Sequence, residues 1–258
     1  MADKPILTID STPNKVITVS YYVPDYGDYI KVKRLYPYPT REGEQRPPYS
    51  VEELLFAYLI VELKAKGKPV ALDPQDLPSR LEPFAIDDRQ YAMLEFISTC
   101  FPDDDQQKAA KNFAMEQRRG EAKPTLHIPG VVTPNGRSYT FERPNTGVQW
   151  KADNNYKGAS ENGCTLDEYM LAMCLTHVDN KKIEPTKDPI DVFASESIEL
   201  VQFLAIVFVN AFLLDDDAAK DAKNKGKLNK QKLRAVLGNT KSATRHTVDT
   251  TGTSAPQV

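Results

Sequence analysis

The sequence contains few of the residues on which most catalytic and metal sites depend. Of its 258 residues only three are cysteine and three are histidine. Cys100, Cys164 and Cys174 are widely spaced and odd in number, which argues against a disulfide framework and is typical of a protein of the reducing cytosol. A structural zinc site needs four ligands, and the sequence has no Cys-x-x-Cys pair to supply two of them. We therefore expect no disulfide and no bound metal.

Nucleotide-binding loops and nucleophile motifs are also missing. There is no Gly-x-x-x-x-Gly-Lys or Gly-x-Gly-x-x-Gly loop to hold phosphates, and no Gly-x-Ser-x-Gly elbow. His127, His177 and His246 lie in unrelated contexts. Cys174 and His177 are three residues apart on a predicted helix, where they would share a face, but a core cysteine beside a half-buried histidine is the simpler interpretation. We predict a protein that is not an enzyme and needs no cofactor.

Neither strong net charge nor a long apolar run is present. The formal net charge is -3 and apolar residues make up 40% of the chain, as in ordinary globular proteins. This balance gives no general attraction to nucleic acid or to an anionic membrane. The longest apolar run, residues 200–214, is shorter than the roughly 20 residues that a membrane-spanning helix needs. We therefore expect neither a membrane nor nucleic acid as partner.

The main positive feature is an internal repeat. Asp73-Pro74-Gln75-Asp76-Leu77 recurs 115 residues later as Asp188-Pro189-Ile190-Asp191-Val192, and Ser50-Val51-Glu52-Glu53 recurs at the same distance as Thr165-Leu166-Asp167-Glu168. An apolar run follows each copy and ends at three aspartates, residues 103–105 and 215–217, where the offset has fallen to 112. A repeat of this length predicts two similar domains in tandem.

The first copy is predicted to combine strands and helices. Residues 15–23 and 29–36 are rich in β-branched and aromatic residues and flank turn-forming residues 24–28, which predicts a hairpin, with residues 6–9 as a third strand. Ser50 and Glu53 have the spacing of a capping box, so a helix should begin there and run to residue 66, with Gly67 as its stop. The remaining predictions are a proline-rich linker at residues 69–83 and helices at 87–101 and 103–119.

The second copy repeats this order. Pro134-Asn135-Gly136 between residues 125–133 and 137–142 predicts a second hairpin, and a Gly/Asn-rich loop is expected to follow as far as Gly163. Thr165 and Glu168 should cap a helix to residue 178, and an apolar helix should span residues 197–214.

Together these elements predict an α+β fold. It consists of a tandem pair of small similar domains, residues 1–120 and 121–217, each a β-hairpin followed by two main helices. A basic, largely disordered tail, residues 218–258, completes the chain.

Two predicted helices, residues 51–63 and 198–214, are apolar over more than one stripe. A helix of this kind must be covered, and large apolar surfaces mark partner sites. We therefore predict that the protein binds another chain through these helices and their neighbours. The predicted partner-binding residues are Leu55, Phe56, Leu59, Phe96, Phe101, Phe203, Phe208 and Phe212.

The second copy also resembles a known family. The segments that carry the resemblance are Phe141-Glu142-Arg143-Pro144-Asn145-Thr146, Thr165-Leu166-Asp167-Glu168-Tyr169-Met170-Leu171-Ala172, Asp188-Pro189-Ile190-Asp191-Val192 and Val207-Phe208-Val209-Asn210-Ala211-Phe212. Together they are similar to the tail assembly chaperones of tailed bacteriophages and to baseplate-hub assembly factors. The resemblance implies a non-catalytic protein of the infected host's cytoplasm, which covers apolar helices of a tape-measure, hub or tube protein until the tail assembles.

Two alternative functions remain open at this point. The chain can be a structural virion component, such as a baseplate or tail-adaptor subunit, which would be present in the virion. It can be an enzyme that uses Cys174 and His177. Homo-oligomerisation is also open, and the basic segment at residues 220–245 is either a weak nucleic-acid arm or, as we favour, a solvated tail.

Overall fold

Two antiparallel four-stranded sheets, each with helices packed on it, make up the fold. The computed structural model describes residues 4–10, 12, 16–36, 49–73, 76–118, 123–184 and 186–212. We call residues 4–118 the first half and residues 123–212 the second half. The predicted tail, residues 218–258, lies outside the described residues.

The sheet of the first half has the strand order β1 (Ile6–Ile9), β2 (Ile17–Tyr22), β3 (Ile60–Ala65), β4 (Lys68–Pro69). The sheet of the second half has the order β5 (Thr125–Ile128), β6 (Tyr139–Glu142), β7 (Leu175–Val178), β8 (Lys181–Lys182). With the helices below, these sheets confirm the predicted α+β class.

Helices fill the connections between and after the strands. In the first half they are α1 (Tyr26–Leu35), α2 (Val51–Leu59), the 3₁₀ helix η1 (Pro78–Leu81), α3 (Ile86–Cys100) and α4 (Asp104–Arg118). In the second half they are α5 (Thr146–Asn155), the one-turn α6 (Ala159–Asn162), α7 (Leu166–Cys174), the 3₁₀ helix η2 (Pro189–Phe193) and α8 (Ile198–Phe212).

The two halves share more than their element order. The inner strand pairs shift register at corresponding places, between Ser20 and Tyr21 in the first half and between Thr140 and Phe141 in the second. Within the described residues the halves pack as one unit. The common origin of the halves, and a domain boundary near residue 120, remain predictions from the sequence.

The prediction of a strand at residues 29–36 was wrong, and so was the hairpin turn before it. Asp25 accepts a hydrogen bond from the Asp28 backbone N–H, and the Asp28 side chain accepts one from the Asp25 N–H. This capping box begins α1 and outweighs the β propensity of the tyrosine and β-branched residues that follow. The first hairpin is instead β1 with β2.

The predicted helices from Ser50 and Thr165 begin as expected but were predicted too long. Both capping boxes are present, with Ser50 bonded to Glu53 and Thr165 bonded to Glu168. Each helix ends after nine residues, where Ile60 or Leu175 turns extended and enters the sheet. The edge of the neighbouring strand offers the backbone a ladder of hydrogen bonds at this point. Gly67, with a φ of 74°, therefore lies in the β3–β4 turn and not at a helix end.

The Gly/Asn-rich segment before Gly163 is also more ordered than predicted. Asn145 accepts a hydrogen bond from the Val148 N–H and begins α5. The hairpin around Asn135-Gly136 is confirmed with shorter strands, and α3, α4 and α8 lie within one or two residues of their predicted bounds. Among the described residues, no helix combines the length and the apolarity needed to cross a bilayer.

Candidate functional site

Most of the predicted partner-binding residues lie inside the core. Six of them, Leu55, Phe56, Leu59, Phe96, Phe203 and Phe208, are at most 2% exposed, whereas Phe101 and Phe212 are half-buried. The rings of Tyr21, Phe56 and Phe96 meet pairwise at centroid distances of 5.2 to 5.5 Å. The premise that α2 and α8 carry apolar surface in excess of the core is therefore corrected, because their own chain covers it. A partner-binding role of these residues remains a prediction.

What α8 leaves open is a groove, which we call the α8 groove. The apolar part of its floor is formed by Ala205, Ile206 and Val209, Gln202 and Asn210 of α8 lie at the two ends of this floor, and the volume is about 450 Å³. The walls are the side chains of α1, of α4 and of the start of α7, namely Tyr29, Lys33, Gln107, Lys111, Thr165, Asp167 and Glu168. An apolar floor with a polar rim is the usual composition of a site that binds apolar side chains.

The α4 wall is fixed by contacts at both of its ends. The Gln106 side-chain amide donates to the Glu199 carboxylate near the start of α8, and Arg118 donates to the Asn210 carbonyl oxygen near its end, at 3.5 Å. The two helices therefore run in the same direction. Between these contacts Ala110 and Ala114 are fully buried, and their small side chains let α4 approach α8 closely.

The α1 wall is an aromatic layer. Tyr29 is buried, meets Phe101 edge-on at a centroid distance of 6.0 Å, and lies under the Lys33 ammonium group at 4.8 Å. Burial raises the pKa of Tyr29, and the carboxylates of Glu52 and Glu168 add to this effect. The phenol is therefore uncharged at physiological pH and serves as a packing surface.

The rim of the groove carries both signs of charge. Lys33 and Lys111 provide cations, while Asp167 and Glu168 provide anions at the start of α7. Burial, followed by the neighbouring Glu168, raises the pKa of Asp167. Such a rim disfavours a polyanion, because the carboxylates repel phosphates, and suits a polypeptide with charges of its own.

A second depression is more polar. It has a volume of about 390 Å³ and lies where α1 meets α6 and η2. Its central cation, Arg34, already pairs with Asp188 at 3.0 Å and donates to the Asn162 carbonyl oxygen at 3.1 Å. Arg34 is therefore engaged in joining the two halves, and the other two cations, Lys157 and Lys187, share the lining with the carboxylates of Glu161, Asp188 and Asp191.

The candidate reactive pair Cys174 and His177 does not share a helix face. Cys174 ends α7, whereas His177 lies in β7 with its Nδ1 3.0 Å from the Thr176 hydroxyl. Burial raises the pKa of Cys100, Cys164 and Cys174 to about 12 in each case. A thiol that stays protonated at neutral pH is a poor nucleophile. No group of three or more His, Cys, Asp or Glu side chains among the described residues is arranged to hold a metal ion.

The α8 groove was not predicted from the sequence. Residues 103–119 were expected to form a polar helix without an assigned neighbour, and residues 29–36 were expected to be a strand. The one signal present was the i, i+4 pair Ala110 and Ala114 within that polar helix, a spacing that lets a second helix approach. Comparison with protein-family models, curated proteins and solved structures found no significant match to this chain.

Proposed function

We propose that the protein is a non-catalytic tail assembly chaperone of a bacteriophage, which binds an apolar helical segment of a tape-measure or baseplate-hub protein in the host cytoplasm. The observation that carries this proposal is the α8 groove, an apolar floor between helical walls with a rim of mixed charge. The protonated state of all three buried thiols also favours binding over nucleophilic chemistry.

A helix is the occupant that fits the groove best. Val209 lies four residues after Ala205 and three after Ile206, so the three side chains lie on one side of α8, beside which another helix can pack. A partner helix would contribute apolar residues at positions i, i+3 and i+4 to the floor and charged residues to the rim. Long apolar helices of a tail protein would need such cover before the tail assembles around them.

Co-expression with the phage's tape-measure, hub and tube proteins tests the proposal. We expect the wild type to co-purify with one of them, and Ile206→Asp to lose that partner, since a carboxylate would be buried in the apolar floor. Val131→Asp is the matched control, because Val131 lies in the β5–β6 turn and is 94% exposed. The proposal is wrong if the wild type retains none of these proteins, or if folded Ile206→Asp retains the partner as well as the control does.

One observation favours the alternative of a structural virion component. Ile86, Tyr91, Leu94 and Ile97 of α3 are exposed together, and apolar surface of this kind suits permanent assembly. Purified virions distinguish the two functions. A chaperone is absent from the mature particle, whereas a structural subunit is present in fixed stoichiometry.

A further inference from the structure

The rim of the α8 groove contains four charged side chains, and two of them already have a contact within the chain. The Lys33 ammonium group lies 4.8 Å from the centroid of the Tyr29 ring. Glu168 is buried, and its carboxylate accepts the Thr165 backbone N–H at 2.6 Å. These two side chains are therefore held in place by the packing of α1 and by the cap of α7.

The other two charges are Lys111 and Asp167. Lys111 is exposed on the α4 wall, and Asp167 is half-buried on the wall that the start of α7 forms. Neither side chain forms a hydrogen bond or an ion pair with any residue that the structure describes. Two opposite charges thus border one groove without pairing across it.

Asp167 is in an unfavourable environment when the groove is empty. Burial raises the pKa of this carboxyl group, and the neighbouring Glu168 raises it further. A cation nearby favours the charged form of a buried carboxyl group and offsets the cost of its desolvation. No residue in the described part of the chain supplies that cation, so a lysine or arginine of a bound partner would stabilise Asp167.

The α4 wall has the opposite preference. Gln107, Lys111 and Met115 follow one another at intervals of four residues, so they lie along one side of α4. The Gln107 side-chain amide is fixed by its hydrogen bond to the Pro102 carbonyl oxygen at 3.2 Å, and Met115 is 56% exposed. This row therefore offers one charge, the Lys111 ammonium group, which an acidic residue of a partner would complement.

The two walls border opposite sides of the floor. The spacing of residues around α8 places Glu199 and Ala205 on opposite sides of Gln202. Helix α4 contacts Glu199 through Gln106, so α4 borders that side, and the start of α7 borders the side of Ala205. A helix that lies on the floor would therefore have one flank along α4 and the other along α7.

We propose that the α8 groove selects a helix with acidic residues along one flank of its apolar stripe and basic residues along the other. Lys111 pairs with the acidic flank, and Asp167 pairs with the basic flank. Turning a helix end to end exchanges its flanks, so these two charges also determine the direction in which the helix lies. The inference rests on the proposed function only in taking a helix as the occupant of the groove.

Three designed peptides of about 20 residues, a length at which isolated helices are stable, test this selection. All have the same apolar stripe at positions i, i+3 and i+4. The mixed peptide carries Glu on one flank and Lys on the other, the acidic peptide carries Glu on both, and the basic peptide carries Lys on both.

Isothermal titration calorimetry at low ionic strength measures the affinity for each peptide. We expect the wild type to bind the mixed peptide about tenfold more tightly than either of the others, because each uniform peptide places one flank against a like charge. Added salt should reduce this difference, since it screens exposed charges. Ile206→Asp should bind none of the peptides, which places the binding in the groove.

Charge reversal should exchange the preference. Lys111→Glu makes both walls acidic and should bind the basic peptide best, whereas Asp167→Lys should bind the acidic peptide best. Lys108→Glu and Asp153→Lys are the matched controls, because both residues are exposed on helices and neither lines the groove. They should keep the preference of the wild type. A gain in affinity for a different peptide cannot arise from a folding defect.

If circular dichroism shows that Asp167→Lys does not fold, Asp167→Asn replaces it and should lose most of the preference for the mixed peptide over the acidic one. The inference is overturned if the wild type binds all three peptides equally, if it binds none of them at about 100 µM, or if the reversed variants keep the wild-type preference. None of these results decides whether a tail protein co-purifies. Conversely, a failure to co-purify any tail protein would refute the phage function and leave the preference for the mixed peptide intact.

Discussion

Helices α1 and α5 occupy the same place in the two halves and differ in almost every contact. Each begins at a capped residue, carries glycine as its second residue and spans ten residues. In α1, however, five residues are buried, whereas in α5 only Ala152 is. The comparison shows that the local sequence determines that a helix forms, while the neighbouring unit determines which of its faces are buried.

Helices α3 and α8 also hold the same place in the two halves and differ in burial. Along α8, Glu199 is the one charged residue, and none of its residues is fully exposed. Along α3, charged residues are interspersed among the apolar ones, so the helix tolerates water on one side. The exposed Ile86 and Tyr91 are at the places of Ile198 and Phe203, which α8 buries. The exposed Leu94 and Ile97 are at the places of Ile206 and Val209, which line the α8 groove.

The largest effect is expected from removing a core phenylalanine in each half, which tests whether the two halves have equivalent cores. Phe96 and Phe208 hold the same place on α3 and α8, and both are fully buried. We expect Phe96→Ala and Phe208→Ala each to lower the free energy of unfolding by about 3–5 kcal/mol. Urea titration followed by circular dichroism measures this loss.

Because these rings are buried, a charged substitution would act on folding and not on a surface contact. Phe56→Asp and Phe208→Asp would abolish partner capture because the protein unfolds, not because a contact is lost at the surface. If Phe96→Ala or Phe208→Ala lowered the free energy of unfolding by less than about 1 kcal/mol, as is typical of exposed positions, that ring would not be in the core.

The two glycines should respond in opposite directions. Gly27→Ala should cost about 1–3 kcal/mol, as overpacking does, because the new methyl group meets the Ala194 oxygen. Gly147→Ala should stabilise the monomer by about 0.5–1 kcal/mol, since alanine is the better helix residue and the one close contact, with the Asn145 side chain at 3.2 Å, is relieved by a small shift of that side chain. Thermal unfolding of both variants at low concentration makes the measurement. Equal shifts of the same sign would contradict the difference between α1 and α5.

The capping boxes should behave alike in both halves. Ser50→Ala and Thr165→Ala each remove the oxygen that accepts the N–H of the glutamate three residues on. We expect each to cost about 1 kcal/mol. A double variant should show additive losses, because the two residues cap different helices, α2 and α7, and share no hydrogen-bond partner. Urea midpoints at constant m-value are the readout.

The smallest effect concerns acid stability of the second half. The Arg137 guanidinium, with the Ser138 N–H, lowers the pKa of Asp179 below its ordinary value. A carboxyl group with a depressed folded-state pKa stabilises the fold above its unfolded-state pKa of about 3.9. This contribution is lost as the pH falls through the lower folded-state pKa.

Arg137→Gln should therefore be slightly less stable than the wild type at pH 7, and the difference should shrink as the pH falls below the unfolded-state pKa and through the lower folded-state pKa of Asp179. Lys157→Gln, which removes an equal charge from an exposed side chain, is the control. Urea unfolding at several pH values makes the comparison. A difference between Arg137→Gln and wild type that does not change with pH would point to lost packing instead.

Much of the fold follows from short-range signals that can be read in the sequence. Ser50 with Glu53 and Thr165 with Glu168 identify the helix starts, and Asn135-Gly136 identifies a hairpin, because each depends on hydrogen bonds within a few residues. The errors fall where longer-range contacts decide. Residues 60–65 continue a helical pattern but pair with β2, and residues 29–36 have strand propensity but follow a helix cap.

The candidate site was harder to predict from the sequence than the fold was. Its floor belongs to a helix that was predicted correctly. Phe203 and Phe208 on that helix are buried in the core, whereas the apolar residues Ala205, Ile206 and Val209 line the groove. Hydropathy cannot separate these two groups, since all are apolar. Only the positions of α1, α4 and α7 around α8 do so.

By itself, the sequence determined the α+β class and the residues that begin α2 and α7, because these depend on local hydrogen bonding and on the pattern of apolar residues. The tertiary structure alone decided which of two equivalent helices is covered and which is open. An interface between unlike surfaces uses only one surface of each half. The order of the halves along the chain therefore decides that α1 and α8 are covered, whereas α5 and α3 are open. The repeat in the sequence thus accounts for two similar halves, and the packing between them accounts for the surfaces left over.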